Sequence, residues 1–236
     1  MKNYFLIVVS AGLLIFMAIS CATVPPETLM DIVETSSILI DITEIPEHVF
    51  SAGTTDVLPE DIIIIPERPQ LPLYIMGQGN VTAENLAHFL LHNNPRLNPE
   101  YVRTLMGYYI EEALYEGVNH DIAFAQMCLE TGFLNFGGLV QPEWNNFAGL
   151  GAISTEQPGL VFPDPRTGVR AHIQHLKAYG SDEPLNGELI NPRFRFVRRG
   201  SAPTYEGLAG TWAADLQYAV KISSILQRLY DFVYSC

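Results

Sequence analysis

Residues 119–132 read NHDIAFAQMCLETG. Ile122, Ala123, Phe124, Ala125, Met127, Cys128 and Leu129 place apolar side chains around nearly the whole circumference of a helix beginning near Asn119. A helix without a polar face belongs in the middle of a domain, wrapped by other elements. Gly132 supplies its stop, because glycine tolerates the left-handed conformation that closes many helices. Gln126 and Glu130 interrupt the apolar surface one turn apart on one face. A carboxyl group in the last turn meets the negative end of the helix dipole and loses part of its water, and both effects favour the protonated form. A general acid needs that environment. A glutamate solvated at a helix end satisfies the same local pattern.

The neighbouring sequence supplies the wrapping. VTAENLAHFLLHNN (81–94) carries Leu86, Phe89 and Leu90 at helical spacing behind Thr82, a capping residue, and stops before Pro95. A second helix opens at Asn98 with Pro99 in its first turn and runs through Val102, Leu105, Met106, Tyr109 and Ile110 to Gly117. GVRAHIQHLKAYG (168–180) predicts a fourth. The longest is expected after Asp215, with Leu216, Ala219, Ile222, Leu226, Leu229 and Val233 on one stripe. Few segments beyond residue 80 alternate as strands do. The expected fold is mainly α, one core of about 155 residues, a common domain size.

The beginning of the chain is of another kind. Residues 1–20 hold Lys2, the apolar run YFLIVVSAGLLIFM and the small-residue ending AIS before Cys21, the pattern of an export signal. The ending resembles the bacterial lipoprotein lipobox, with Ala18 where leucine is usual, which implies that Cys21 is lipidated. The other interpretation is an uncleaved membrane anchor over residues 4–20, at the lower length limit for a span. Either places the body of the protein outside the cytoplasm, in the cell envelope. Cys128 and Cys236 then remain, and an oxidising compartment permits their pairing without requiring it.

Residues 21–72 form a proline-rich acidic tether, followed by the helical domain over 73–236. Between residues 22 and 79 stand ten acids against one base, Arg68, whereas residues 80–236 hold sixteen acids against eleven bases. The net charge of −13 therefore describes an arm more than a domain. A chain this acidic offers no broad phosphate-neutralising face, which argues against nucleic acid as a partner. The densest basic patch is NPRFRFVRRG (191–200), with Arg193, Arg195, Arg198 and Arg199 among two phenylalanines. It suits carboxylates on a cell-wall polymer as well as it suits a solvated loop. His172 with His175, and His88 with His92, have helical metal-ligand spacing, but neither pair has the acid of a metal motif. No metal or cofactor is expected.

Four segments carry a family resemblance: AFAQMCLETGFLNFGG (123–138), NNFAGLGA (145–152), GVRAHIQHLKAY (168–179) and WAADLQYAVKI (212–222). In this order and approximate spacing, over about Glu111 to Tyr230, they resemble the bacterial glucosaminidase family of peptidoglycan hydrolases, the mannosyl-glycoprotein endo-β-N-acetylglucosaminidase-like group that includes autolysins and flagellar muralytic enzymes. The resemblance implies a lysozyme-like helical fold and a groove that holds peptidoglycan glycan strands and cleaves at N-acetylglucosamine. Glu130 falls on the catalytic acid of the family's ESG motif, the residue that the helix pattern singles out independently. Asn145, Asn146, Phe147 and Gly149 match the loop lining the groove, with Gln126 added from the helix face. Amides there suit N-acetyl and hydroxyl groups and a ring suits a sugar face, while an Asn-rich turn packed under Phe147 is the structural alternative. Tyr218 matches the family's active-site tyrosine, with Asp215 expected as the N-cap of the last helix.

The departure lies between Gly151 and Arg170, where many members carry a longer β-lobe with a second carboxylate. The shortened interval implies a reduced lobe, in which Glu156 follows Ser154 and Thr155 much as the lobe acid does, and Asp164 is the other possibility. Two-carboxylate hydrolysis, attack by the substrate's own 2-acetamido group, and the single-glutamate chemistry of lytic transglycosylases all stay open. A binding module that holds glycan without cutting it is the non-enzymatic alternative. A monomer is expected.

Overall fold

The computed structural model describes residues 68–235 together with two short strands, β1 (Phe5–Ser10) and β2 (Leu13–Ala18). These strands pair antiparallel, from Phe5 opposite Ala18 to Ser10 opposite Leu13. Cys21, the acidic arm up to residue 67 and Cys236 lie outside the described residues. The chain divides into two compact units at Ile63 and Ile64, the second being the helical domain. Among the described residues no helix is long and apolar enough to cross a membrane.

The domain is mainly helical, as expected: α1 (Ala83–Asn93), α2 (Pro99–Glu116), α3 (His120–Thr131), α4 (Pro165–Gly180) and α5 (Tyr218–Tyr234). The caps follow the sequence. Thr82 accepts from Asn85 N–H, Asn98 accepts from Tyr101 N–H, and Gly117 closes α2 with φ +73°. Helix α3 is buried from His120 through Cys128 and packs against α2, α4 and α5, the central position its all-round apolarity demands. Cys128 is a free buried thiol.

Two buried acids fasten the periphery. Asp121, wholly buried, accepts from the backbone of Asn80 (2.8 Å) and Val81 (3.3 Å) and from the Tyr230 hydroxyl (2.8 Å). It thereby ties the start of α3 to the entry of α1 and the end of α5. Glu116 takes Lys177 Nζ at 3.0 Å and the amides of Asn186 and Gly187, which holds the loop after α4. Both acids satisfy the rule that a buried charge needs several donors.

Two expectations are corrected at helix starts. Helix α4 begins at Pro165 rather than 168, because Asp164 caps it by accepting from Thr167 N (2.9 Å) and Oγ1 (2.7 Å). Asp215 is not the N-cap of α5. Its carboxylate accepts from Gln217 N (2.8 Å) and Lys221 Nζ (2.6 Å), which turns the chain ahead of the helix, so α5 begins at Tyr218 behind Gln217. Leu216 consequently points to solvent, and the buried stripe is Tyr218, Ile222, Ile225, Leu226, Leu229 and Tyr230.

The interval from Gly151 to Asp164 contains one isolated bridge, Ser154 with Gln157, in place of a lobe. A small second core of Ala148, Leu150, Phe162 and Ala171 lies beneath it. Helix α4 passes so close to the preceding loop that a Cβ on Gly168 would stand 1.8 Å from the Asn145 carbonyl oxygen.

Candidate active site

Glu130 occupies the last turn of α3. Thr131 behind it is buried, its hydroxyl donating to the Met127 carbonyl (2.7 Å) and accepting from Leu134 N–H (2.9 Å). From Gly132 the backbone turns left-handed, with φ of +58° at Gly132, +57° at Phe133, +59° at Leu134 and +49° at Phe136. Bulky residues rarely adopt this conformation, which costs on the order of 1–2 kcal/mol per residue. Here it folds the chain back to form a wall in front of Glu130.

Two donors converge on one oxygen of the carboxyl group. Glu130 Oε1 accepts from the Tyr218 hydroxyl and from Trp212 Nε1 at 3.0 Å. Tyr218 opens α5, and Trp212 stands in the loop before it. Tyr218 in turn accepts from Gln126 Nε2 at 2.9 Å, so Gln126 Oε1 faces His172 Nε2, also at 2.9 Å. His172 Nε2 therefore carries the proton, and Nδ1 accepts from the Tyr109 hydroxyl at 3.0 Å. Burial, with His175 adding, holds the His172 pKa at about 3, so the ring is neutral as this pattern requires. Four side chains, Tyr109, His172, Gln126 and Tyr218, thus donate in sequence toward Glu130.

Burial raises the Glu130 pKa above the ordinary carboxylate range, and the bonds from Tyr218 and Trp212 offset part of that rise. Since Oε1 already accepts twice, the acidic proton belongs on Oε2. That oxygen faces Gly149, where an added Cβ would stand 3.5 Å away. Burial and the nearby Glu130 charge push the Tyr218 hydroxyl far above its usual value, which keeps it a donor.

In front of Oε2 lies a cleft of about 220 Å³ lined by Glu130, the wall from Phe136 to Val140, Asn146, Gly149 and Ala152. Glu130 is the one acid among these residues. Asn146 and Gly149 line the cleft by different means. Asn146 is buried and staples its own loop, donating to the carbonyls of Leu150 (2.9 Å) and Leu160 (3.0 Å) and accepting from Leu150 N–H (2.9 Å). Gly149, at φ +61°, keeps the space before the acid open. Asn145 is left-handed and donates to the Phe162 carbonyl at 3.0 Å. Phe147 is buried against the edge of Tyr109, the arrangement of a packed turn rather than a sugar platform.

The other carboxylates stand apart. Glu156 is exposed and bonded by Ser154 Oγ (2.7 Å) and Thr155 Oγ1 (3.0 Å), which lower its pKa. Asp164 is committed to its cap. His172 belongs to the donor chain, and His88 pairs with Glu84 on the surface. No group of three or more potential metal ligands occurs among the described residues. The residue that sequence reasoning missed is Trp212. Its signal was present, since it is one of two tryptophans and opens WAADLQY, six positions before Tyr218.

A partly buried carboxyl with a raised pKa at the end of a core helix, facing a polar cleft, can act as a proton donor. A family model described as mannosyl-glycoprotein endo-beta-N-acetylglucosaminidase matches residues 106–231, more than half of the chain, which therefore belongs to the glucosaminidase family. Membership supports a peptidoglycan glycosidase. The chain is also similar to an uncharacterized protein of Borreliella burgdorferi, 44% identical over 176 residues that span 73% of this chain and 86% of that one.

Proposed function

We propose that the protein is an endo-β-N-acetylglucosaminidase acting on the glycan strand of peptidoglycan, with Glu130 as general acid. The observation that supports it most is the two-donor clamp on Oε1, which leaves a raised-pKa proton on the oxygen facing the cleft. Glu130 Oε2–H protonates the glycosidic oxygen as its bond to the anomeric carbon breaks. With Glu130 the one acid lining the cleft, the carbonyl oxygen of the substrate's own 2-acetamido group is the nucleophile. The Glu130 carboxylate then takes a proton from the water that opens the resulting ring, which restores the acid and leaves an N-acetylglucosamine reducing end.

The same single-acid arrangement supports a second reading, lytic transglycosylation, in which a hydroxyl of the muramyl sugar replaces water. Mass spectrometry of digested peptidoglycan separates the two. N-acetylglucosamine reducing ends, lost in Glu130→Gln, are expected. Anhydro-muramyl ends would select the transglycosylase, and equal release by Glu130→Gln would remove Glu130 from its role. For location, we propose attachment to an envelope membrane through lipidated Cys21, which rests on residues 1–21 alone.

A further inference from the structure

A second hollow, of about 170 Å³, adjoins the acid's cleft and shares Gly149 and Ala152 with it. His175, Tyr179, Arg193 and Trp212 line it, with residues 148–153. Trp212 joins the two spaces, since its indole N–H holds Glu130 while its ring borders the second hollow. A polymer seated at Glu130 and extending past Gly149 and Ala152 enters the second hollow.

The walls of the second hollow suit an anionic sugar. Trp212 packs against His175 (ring centroids 5.1 Å apart) and Tyr179 (5.4 Å), which holds a half-exposed indole in a fixed orientation. Arg193 reaches in from the turn Pro192–Phe196, and Gly151 leaves room for its arm, because a Cβ there would lie 3.3 Å from Arg193 Cδ. The Arg193 side chain is half-buried, yet among the described residues it makes no ion pair. The Arg193 guanidinium lies 5.8 Å from the Phe196 ring centroid and has no carboxylate partner among the described residues, so it is free to pair with one on a ligand. His175 adds no competing charge, since burial, with Arg193 adding, holds its pKa at about 4. Its Nδ1 is buried without a protein hydrogen-bond partner, and its ring packs edge-on against Tyr179 and Trp212.

We propose that this hollow is the subsite for the N-acetylmuramyl side of the scissile bond, with Trp212 carrying the sugar ring and Arg193 pairing with a carboxylate on that unit. The carboxylate is either the lactyl group of a peptide-free muramyl residue or a carboxylate of its stem peptide. The assignment rests on the glycosidase reading of Glu130, but it is tested by binding alone. In the Glu130→Gln protein, calorimetry compares three ligands: a peptide-free tetrasaccharide of alternating N-acetylglucosamine and N-acetylmuramic acid, the same tetrasaccharide bearing stem peptides, and the neutral tetramer of N-acetylglucosamine. At least one muramyl ligand is expected to bind about tenfold more tightly than the neutral one, the worth of a partly exposed charge-assisted contact. Adding Arg193→Gln should collapse that ratio to about one. Preference for the peptide-free ligand identifies the lactyl carboxylate, and preference for the peptide-bearing one identifies the stem. A ratio near one before the change, or a ratio that Arg193→Gln leaves intact, overturns the subsite. Inactivity of the wild-type protein on peptidoglycan would instead overturn the hydrolase reading and leave this ratio measurable.

Discussion

At the scale of single residues, the arrangement turns on which oxygen of Glu130 is occupied. Two donors on Oε1 leave Oε2 to hold the proton, and glutamine reproduces that arrangement with its carbonyl under Tyr218 and Trp212 and its NH2 toward the cleft. Because burial raises the folded-state pKa of Glu130, its contribution to stability is fully present below the ordinary carboxylate pKa and is lost as pH rises through the raised value. Glu130→Gln should therefore melt like the wild type in acid and higher than it at neutral pH. Scanning calorimetry at two pH values reads the difference, on a scale of about 2–4 °C per kcal/mol for a domain of this size. Equal melting temperatures at neutral pH would contradict a desolvated carboxylate. Tyr218→Phe removes a bond that lowers the Glu130 pKa. The falling limb of the pH–rate profile, where the acid deprotonates, should move to higher pH, with a rate loss on the order of tenfold from the loosened carboxyl. An unmoved limb would show that Tyr218 does not set this acid.

At the scale of elements, α3 is placed by its own sequence, whereas the loop facing it is placed by α4. Gly168 lets α4 pass against the Asn145 carbonyl, and that loop continues through Asn146 to Gly149 at the mouth of the cleft. Gly168→Ala leaves helix propensity unharmed or improved. The 1.8 Å approach nevertheless forces helix and loop apart. A loss of about 2 kcal/mol or more in urea unfolding is expected, with activity falling further than the folded fraction because Gly149 shifts with the loop. A neutral or stabilising result would mean that the loop yields freely. The left-handed run after Gly132 belongs to the same scale. Gly132 predicted the end of α3, but nothing in Phe133, Leu134 or Phe136 announces positive φ, because those angles follow from closing the wall onto the core.

At the scale of the whole molecule, the charge of −13 separates into an acidic, proline-rich arm and a milder helical domain. The lipid attachment proposed for Cys21 is tested in cells. Cys21→Ala should move the protein from the membrane fraction to the soluble fraction of cells and abolish incorporation of labelled fatty acid. Fatty-acid labelling that survives the substitution would sink the lipoprotein assignment.

The sequence by itself determined the helical class, the caps at Thr82, Asn98 and Gly117, the central placement of α3 and the position of Glu130 in its last turn. Each depends on spacing within a single segment, where 3.6-residue periodicity and capping chemistry act locally. The tertiary structure alone decided the rest: that Asp215 turns the chain instead of capping α5, that Asn146 staples a loop, that Phe147 enters the core, and that Trp212, Gln126 and His172 form the support of the acid. The last of these depends on groups 46, 82, 88 and 92 residues apart meeting in space. Only the packing of α3, α4 and α5 brings such groups within hydrogen-bonding distance.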